Sequence, residues 1–212
     1  MWALTNSDNT INEIITRPKQ LIIGDTQYPR TIFNMWSKAE LSTLKIYEVI
    51  TDNSNFKDTQ YYINTNATHT FHTSITVAST DYTNVVVKAY GTATARALTN
   101  VLFTAADESA NSINVEGTVK QYGITAQLKE NVNLEAANIL QVTDWYTLRA
   151  ASGGTAIPSS VSTHQAAVRT KANAMCTLIT NAADIDALIA LYTYNSANPA
   201  VRPLGELPKL GE

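Results

Sequence analysis

Two stretches of helical periodicity, separated by strong helix-ending signals, most constrain what this chain of 212 residues can fold into. Gly153-Gly154 ends the first stretch, because glycine reaches the left-handed conformation that a C-terminal cap uses. Pro158 suits the first turn of a second helix. The pattern predicts an antiparallel helical hairpin. The apolar stripe of its first helix consists of Ile124, Leu128, Val132, Ala136, Ile139 and Leu140, and Trp145 and Leu148 extend it.

The second helix carries its own apolar seam, with steps close to alternating four and three residues. Gln165 interrupts the seam with a polar group that can fix the register of the two helices. His164 is expected to be exposed, on the side of the helix opposite the seam. A third short helix runs to Tyr192 from Asp184, a good N-cap. Residues 199–212 carry three prolines and should form an extended arm, packed or loose. The seam residues are Val161, Val168, Ala172, Met175 and Ile179.

The amino-terminal half favours strands instead. A period of two in Thr68–Val77 places Phe71, Thr73, Ile75 and Val77 on one face, and Tyr82 to Asn84 resembles a turn. Ser37 and Glu40 predict a helix-capping box. The fold class is therefore α+β: a small α/β and β-rich region, then an antiparallel helical hairpin with a short third helix and an extended tail. The expected domains are 1–55 (small α+β module), 56–116 (β-rich), 117–198 (helical hairpin) and 199–212 (arm).

Composition limits the classes of partner. Charged residues make up 16% of the chain, below the roughly 25% of ordinary domains, whereas Thr and Asn fill roughly a fifth. Such a neutral surface suits a particle that meets many copies of itself, although mutational bias in an AT-rich genome explains it equally well. The net charge of -3 and the lack of a Lys/Arg cluster give no footprint for nucleic acid. No apolar run approaches membrane-spanning length, and no signal peptide is visible, so we expect cytoplasmic synthesis and no membrane partner.

No motif points to catalysis. The chain has no Gly-x-Ser-x-Gly elbow, and Gly153-Gly154-Thr155 lacks the lysine of a phosphate-binding loop. His69 and His72 would point to opposite faces of a strand, without the further ligands that a metal site needs. We therefore expect a protein that is not an enzyme and has neither cofactor nor metal.

Several residues are instead candidates for contacts with other proteins. Trp145 could anchor a partner, since large aromatic residues dominate interface hot spots; alternatively it fills the end of the hairpin, with Asp144 capping a turn or pairing with Arg149 or Arg169. Four tyrosines of the β-rich region, Tyr61, Tyr62, Tyr82 and Tyr90, could stack on a sugar or simply pack across strands. The interaction candidates are Trp145, Tyr146, Val161, Val168, Met175, Tyr61 and Tyr62.

The hairpin also carries a family resemblance. Leu140, Thr143-Asp144-Trp145 and, in the second helix, Val168-Arg169 resemble the "R-x-x-L-L-x-x-T-D-W" and "Y-R-x-x-L-R" helices of phage tail-fibre assembly and tail assembly chaperone-like proteins. The chain departs from that family after Trp145, where Tyr146-Thr-Leu-Arg149 replaces Leu-Pro-Asp. A second run is similar to a small module of phage tail-region proteins, "W-s-x-x-E-L-x-x-x-x-I-Y-x-V". It consists of Pro29, Phe33, Trp36, Ser37, Glu40-Leu41 and Ile46-Tyr47-Glu48-Val49.

The resemblance implies a non-enzymatic structural protein of the phage tail or tail fibre, located in the virion. It would act by docking and oligomerisation, as a multi-copy component or homo-oligomer whose partners are other tail or fibre proteins. An assembly chaperone that leaves the mature particle is the alternative, and a carbohydrate- or receptor-binding module is a further one.

Overall fold

The computed structural model describes residues 1–210 and divides the chain into two compact units, Met1–Thr94 and Ala95–Glu212. Strands dominate the first unit and helices the second, which confirms the predicted α+β class. The elements up to the boundary are β1 (Trp2–Thr5), β2 (Ile11–Ile15), β3 (Leu21–Ile23), β4 (Thr26–Tyr28), α1 (Ile32–Met35), α2 (Lys38–Thr43), β5 (Ile46–Asp52), β6 (Tyr62–Ile63), β7 (Thr68–Val77), β8 (Thr80–Ala89) and β9 (Thr94–Ala95). Those that follow are β10 (Val101–Leu102), α3 (Ala105–Ala110), β11 (Val119–Gln121), α4 (Ile124–Gln141), α5 (Asp144–Ala151), α6 (Ser159–Asn181) and α7 (Ile185–Tyr192).

A five-stranded sheet of order β2-β1-β5-β8-β7 organises the first unit. Its strands pair antiparallel except β5 and β8, which run parallel from Val49 opposite Val86 to Asp52 opposite Ala89. This pairing carries the sheet across the boundary that we expected at residue 55. Pairing between distant strands leaves no local signal, so the sequence pattern did not indicate it.

The hairpin of β7 and β8 differs from the sequence prediction. Its turn lies at Ala78 and Ser79, whose φ angles are 49° and 64°, as a two-residue turn of this kind requires. The turn predicted at Tyr82 to Asn84 is wrong, because β8 runs unbroken through these residues. Ala and Ser are not the residues that usually indicate such a turn, whereas Asn is. Asn84 nevertheless lies inside a strand, with a φ angle of 50°.

The predicted common face of β7 is also wrong. Phe71 packs with Val86, whereas Ile75 packs with Val85 and Val87. Successive residues of β8 point to opposite faces of the sheet, so Phe71 and Ile75 lie on opposite faces. The left-handed conformation of Asn84 interrupts the alternation between these two contacts.

Two predicted helix caps are confirmed. Ser37 Oγ accepts from the Glu40 backbone N–H at 3.2 Å, and Glu40 Oε2 accepts from the Ser37 N–H at 2.7 Å. The Ser37 N–H, and secondarily the Ser37 hydroxyl, donate to the exposed Glu40 carboxyl and lower its pKa. At α7, Asp184 Oδ1 accepts from the Ala187 N–H at 2.8 Å. Each cap satisfies amide groups that the first helical turn leaves without partners.

The helical hairpin forms from α4 and α6 as predicted. Every residue of the proposed α6 seam is buried, and Ile124, Leu128, Val132 and Ala136 are buried on α4. Gln165 is buried as well, and its Nε2 donates to Thr143 Oγ1 at 3.0 Å and to the Thr143 carbonyl at 3.4 Å. The polar interruption therefore has a fixed partner at the end of α4.

Two expectations about the hairpin are wrong. His164 is only 8% exposed, because it lies three residues after Val161 and four before Val168 and so shares their face. The first helix ends at Gln141, and Thr143, with φ -112° and ψ 0°, precedes a separate helix, α5. Trp145 and Leu148 therefore do not extend the buried apolar stripe of the first helix, and both are exposed.

The proline-rich arm is packed through the residues that the structure describes; Gly211 and Glu212 lie outside them. Leu204 and Leu207 are buried, and the Leu204 N–H donates to the Leu191 carbonyl at 3.0 Å. Arg202 lies over the rings of Tyr192 and Tyr194 at 5.5 and 5.4 Å from their centroids. The arm therefore completes the packing at the end of α7.

None of residues 101–122 is buried. The segment is nevertheless regular: β10 pairs with β11, and Thr104 and Asp107 form a capping box for α3. Lys120 donates to Asp107 at 2.6 Å and lies 5.6 Å from the centre of the Phe103 ring. Polar contacts at the surface hold this segment in shape.

We expect Thr143→Val to lower the free energy of unfolding by about 1–3 kcal/mol, because the buried Gln165 amide loses the hydroxyl that accepts from it. Urea denaturation would measure the change. Thr177→Val is the matched control. The Thr143 hydroxyl donates to the Leu140 carbonyl at 3.0 Å, and the Thr177 hydroxyl likewise donates to the Asn173 carbonyl at 2.9 Å, but Thr177 is exposed. The control should change stability by less than about 0.5 kcal/mol. Equal losses in both variants would contradict a structural role for the buried bond.

The Asp107 carboxyl should titrate with a pKa of about 2, because the Lys120 ammonium and the Thr104 N–H and hydroxyl all donate to it. The pKa of Asp107 in the folded state is lower than its unfolded-state value of about 3.9, so the bonds stabilise the folded segment fully at pH values above about 3.9. This stabilisation is lost as the pH falls through the folded-state pKa. The chemical shift of the Asp107 carboxyl, followed by NMR as a function of pH, would give this pKa. Lys120→Met should raise the pKa, whereas Lys129→Met should leave it unchanged.

Candidate interaction surface

The short helix α5 follows the first helix of the hairpin, and hydrogen bonds fix both of its ends. Thr143, immediately before it, is buried and bonded to Gln165. At the other end, the Gly154 N–H donates to the Arg149 carbonyl at 3.0 Å and the Gly153 N–H to the Ala150 carbonyl at 3.2 Å. With Gly153 at φ 81°, this is a Schellman motif, which confirms the predicted glycine cap.

Three side chains of α5, which we call the aromatic platform, pack on one another: Trp145, Tyr146 and Arg149. The two rings stack with centroids 3.7 Å apart and an interplanar angle of 30°. The Arg149 guanidinium carbon lies 5.0 Å from the Trp145 centroid and 5.2 Å from that of Tyr146. Arg149 Nη2 also donates to the Ala156 carbonyl at 3.4 Å. Attraction between the cation and the ring faces holds the rings in place before any partner arrives.

An apolar side chain of the same helix also faces solvent. Leu148 is 69% exposed, and Trp145 is 50% exposed. They lie three residues apart on α5, which has no buried residue. Interface hot spots are enriched in Trp, Tyr and Arg and lie within apolar surroundings. The surface therefore has the composition of a protein-binding site.

The structure separates the hairpin residues that the sequence indicated as interaction candidates. Trp145 and Tyr146 lie in the platform, whereas Val161, Val168 and Met175 are buried between the helices. The role of these three is to hold the hairpin together. Sequence reasoning treated Leu148 as a core residue, although it lies three residues after the exposed Trp145 on α5.

Tyr61 and Tyr62 do not form an open stacking surface. Tyr61 is buried, and burial, together with Asp58, raises the pKa of its hydroxyl. Tyr62 is half-buried, and Lys57 Nζ lies 5.7 Å from its ring centroid. A sugar ring would need an open aromatic face, which Tyr61 does not offer.

The histidines of β7 are not joined by further metal ligands. Within residues 1–210, no group of three or more His, Cys, Asp or Glu side chains could hold a metal ion. Burial, and secondarily Lys88, lowers the pKa of His69, so burial favours its neutral form. Its Nε2 is buried and has no hydrogen-bond partner among the residues that the structure describes.

Gly154→Ala should disorder the aromatic platform. A Cβ at this position would lie 2.8 Å from both Arg149 Cγ and the Arg149 carbonyl oxygen, so Arg149 must move away from the rings. Near-ultraviolet circular dichroism would record the loss of the fixed Trp145–Tyr146 stack. Gly117→Ala is the control, because its Cβ meets no atom within 4 Å but it too must adopt a positive φ, 80°. An unchanged aromatic spectrum for Gly154→Ala would show that the contact does not position Arg149.

Comparison with known proteins adds no relative. No protein-family model, curated protein or solved structure matches the chain. Among the described residues, no helix is both long and apolar enough to cross a membrane.

Proposed function

We propose that this chain is a non-enzymatic structural protein of a phage tail or tail fibre, located in the virion, that docks other tail or fibre proteins through the aromatic platform. The exposed surface formed on α5 by Trp145, Tyr146 and Arg149 with Leu148 is the observation that carries the proposal. The resemblance of the hairpin sequence to phage tail assembly proteins supports the biological setting.

Order in the free protein favours this surface as a docking site. The two rings and the guanidinium already touch, so a partner would not have to immobilise them. Side-chain ordering costs about 0.5–1.5 kcal/mol for each flexible side chain at an interface, and this cost is largely avoided here. Burial of the indole and of the Leu148 side chain then contributes directly to affinity.

An assembly chaperone is the second candidate. Thr143, Asp144 and Trp145, which carry the resemblance to assembly proteins, are also the residues at which α5 begins. The same surface would then bind a fibre protein during assembly and release it before the particle matures. The two functions use one contact and differ in whether it persists.

Mass spectrometry of purified particles separates the two functions. A tail component should be found in the virion at a fixed ratio to other tail proteins. A chaperone should instead co-purify with a fibre protein from infected-cell lysate and be missing from particles. Absence from both samples would contradict both functions.

Trp145→Ala and Leu148→Ala should each weaken capture of the tail or fibre partner by about thirtyfold, the equivalent of about 2 kcal/mol at a hot spot. Surface plasmon resonance with the captured partner would measure the change. Leu178→Ala is the matched control, because Leu178 is an exposed apolar residue on α6, outside the platform. Binding that is equally weakened by all three changes, or by none, would exclude the platform as the docking site.

A further inference from the structure

The five-stranded sheet contains a cleft between β5 and β8. These two strands pair only over residues 49–52 of β5 and 86–89 of β8. The residues that come before this pairing, 46–48 on β5 and 81–85 on β8, line one cleft of about 400 Å³, together with Trp2 of β1 and the side of α2 that carries Lys38. A volume of this size lies in the range of sites for small molecules.

Asn84 lies on β8 where the cleft begins. The ladder with β7 is regular on either side of it, with Val85 opposite His72 and Thr83 opposite Ser74, but Asn84 itself has a φ angle of 50°. A left-handed residue other than glycine is uncommon, and such residues cluster at ligand sites. The Asn84 side chain is exposed and lines the cleft. The irregular backbone therefore places an amide, which is both a donor and an acceptor, beside the space between the strands.

The charged groups of the cleft are mainly acceptors of hydrogen bonds. Among the described residues, two carboxylates and one ammonium group line it, those of Glu48, Asp81 and Lys38. Lys38 donates to Glu48 Oε2, and the Thr76 hydroxyl donates to Asp81 Oδ1 at 2.6 Å. Both carboxylates are thus held in place, and each has a second oxygen that can accept from a ligand. The excess of negative charge disfavours an anionic ligand.

Apolar side chains line the rest of the cleft. Ile46 and Val85 are buried, whereas Trp2 and Tyr82 are half-buried. The Trp2 ring packs on Phe33, with centroids 5.9 Å apart, so its position is fixed from within the first unit. A ligand that matches this cleft has an apolar face for the aromatic side chains and hydroxyl groups for the carboxylates and the amide.

We propose that this cleft binds one ring of a neutral sugar. Neighbouring hydroxyls of the ring donate to Glu48 and Asp81 and exchange hydrogen bonds with the Asn84 amide, while the C–H face of the ring packs on Trp2 and Tyr82. A purely apolar ligand would leave the polar groups buried without partners, which is costly. An acidic sugar or a phosphate would meet two carboxylates and only one ammonium group, which is already paired.

NMR of the ¹⁵N-labelled full chain tests the site, with glucose, galactose, mannose and N-acetylglucosamine as probes. We expect at least one of them to shift the amide resonances of residues 46–48 and 81–85, with a dissociation constant of about 1 mM. Glucuronate, which is acidic, and cyclohexanol, which has one hydroxyl, should each bind about tenfold more weakly or less. No shift at these residues with any of the four sugars at about 100 mM, or equal binding of cyclohexanol, would overturn the proposal.

A matched pair of variants tests whether the Asn84 amide contacts the sugar. Asn84→Gly removes the amide but keeps the backbone, because glycine adopts a positive φ without steric cost. It should weaken binding of the sugar by about tenfold. Asn9→Gly is the control, since Asn9 is also exposed and left-handed, with φ 66°, but does not line the cleft. Equal affinity of the two variants would overturn the assignment of the sugar to this cleft. The cleft lies in the first unit and the aromatic platform in the second, so this proposal and the docking function can fail independently.

Discussion

The apolar seam between α4 and α6 is the interaction on which the second unit depends. Its seven buried α6 residues include two polar ones, His164 and Gln165. Of these, Gln165 fixes the position of α5 relative to the seam. Its amide reaches Thr143, the residue immediately before α5, so the seam determines where the exposed helix starts. Burial of the seam supplies the stability, and the buried hydrogen bond fixes the register, since an unmatched amide would cost about 1–3 kcal/mol.

The aromatic platform offers side chains, whose shape selects among partners. A contact of this kind suits a specific neighbour, because only a partner of matching shape can cover the rings.

Local features of the fold were predictable from the sequence, and non-local ones were not. The capping box at Ser37 and Glu40, the cap at Asp184 and the glycine stop at Gly153 each depend on a few adjacent residues. The α6 seam was predictable because its period is regular over more than three turns. The parallel pairing of β5 with β8 joins residues far apart in the chain and leaves no such pattern. At the candidate site, Trp145 was identified by residue type, but its exposure depends on the break at Thr143, which an unbroken apolar spacing conceals.

The segment 101–122 has a consequence for the way this chain can vary. Its shape comes from a capping box, a surface ion pair and a two-stranded ladder, none of which is shared with a buried core. Opening such a segment costs far less than unfolding a packed unit. Its length and composition can therefore change without loss of the hairpin or of the sheet. This makes it a natural position for inserted sequence, where a peptide could be displayed on an otherwise unaltered protein.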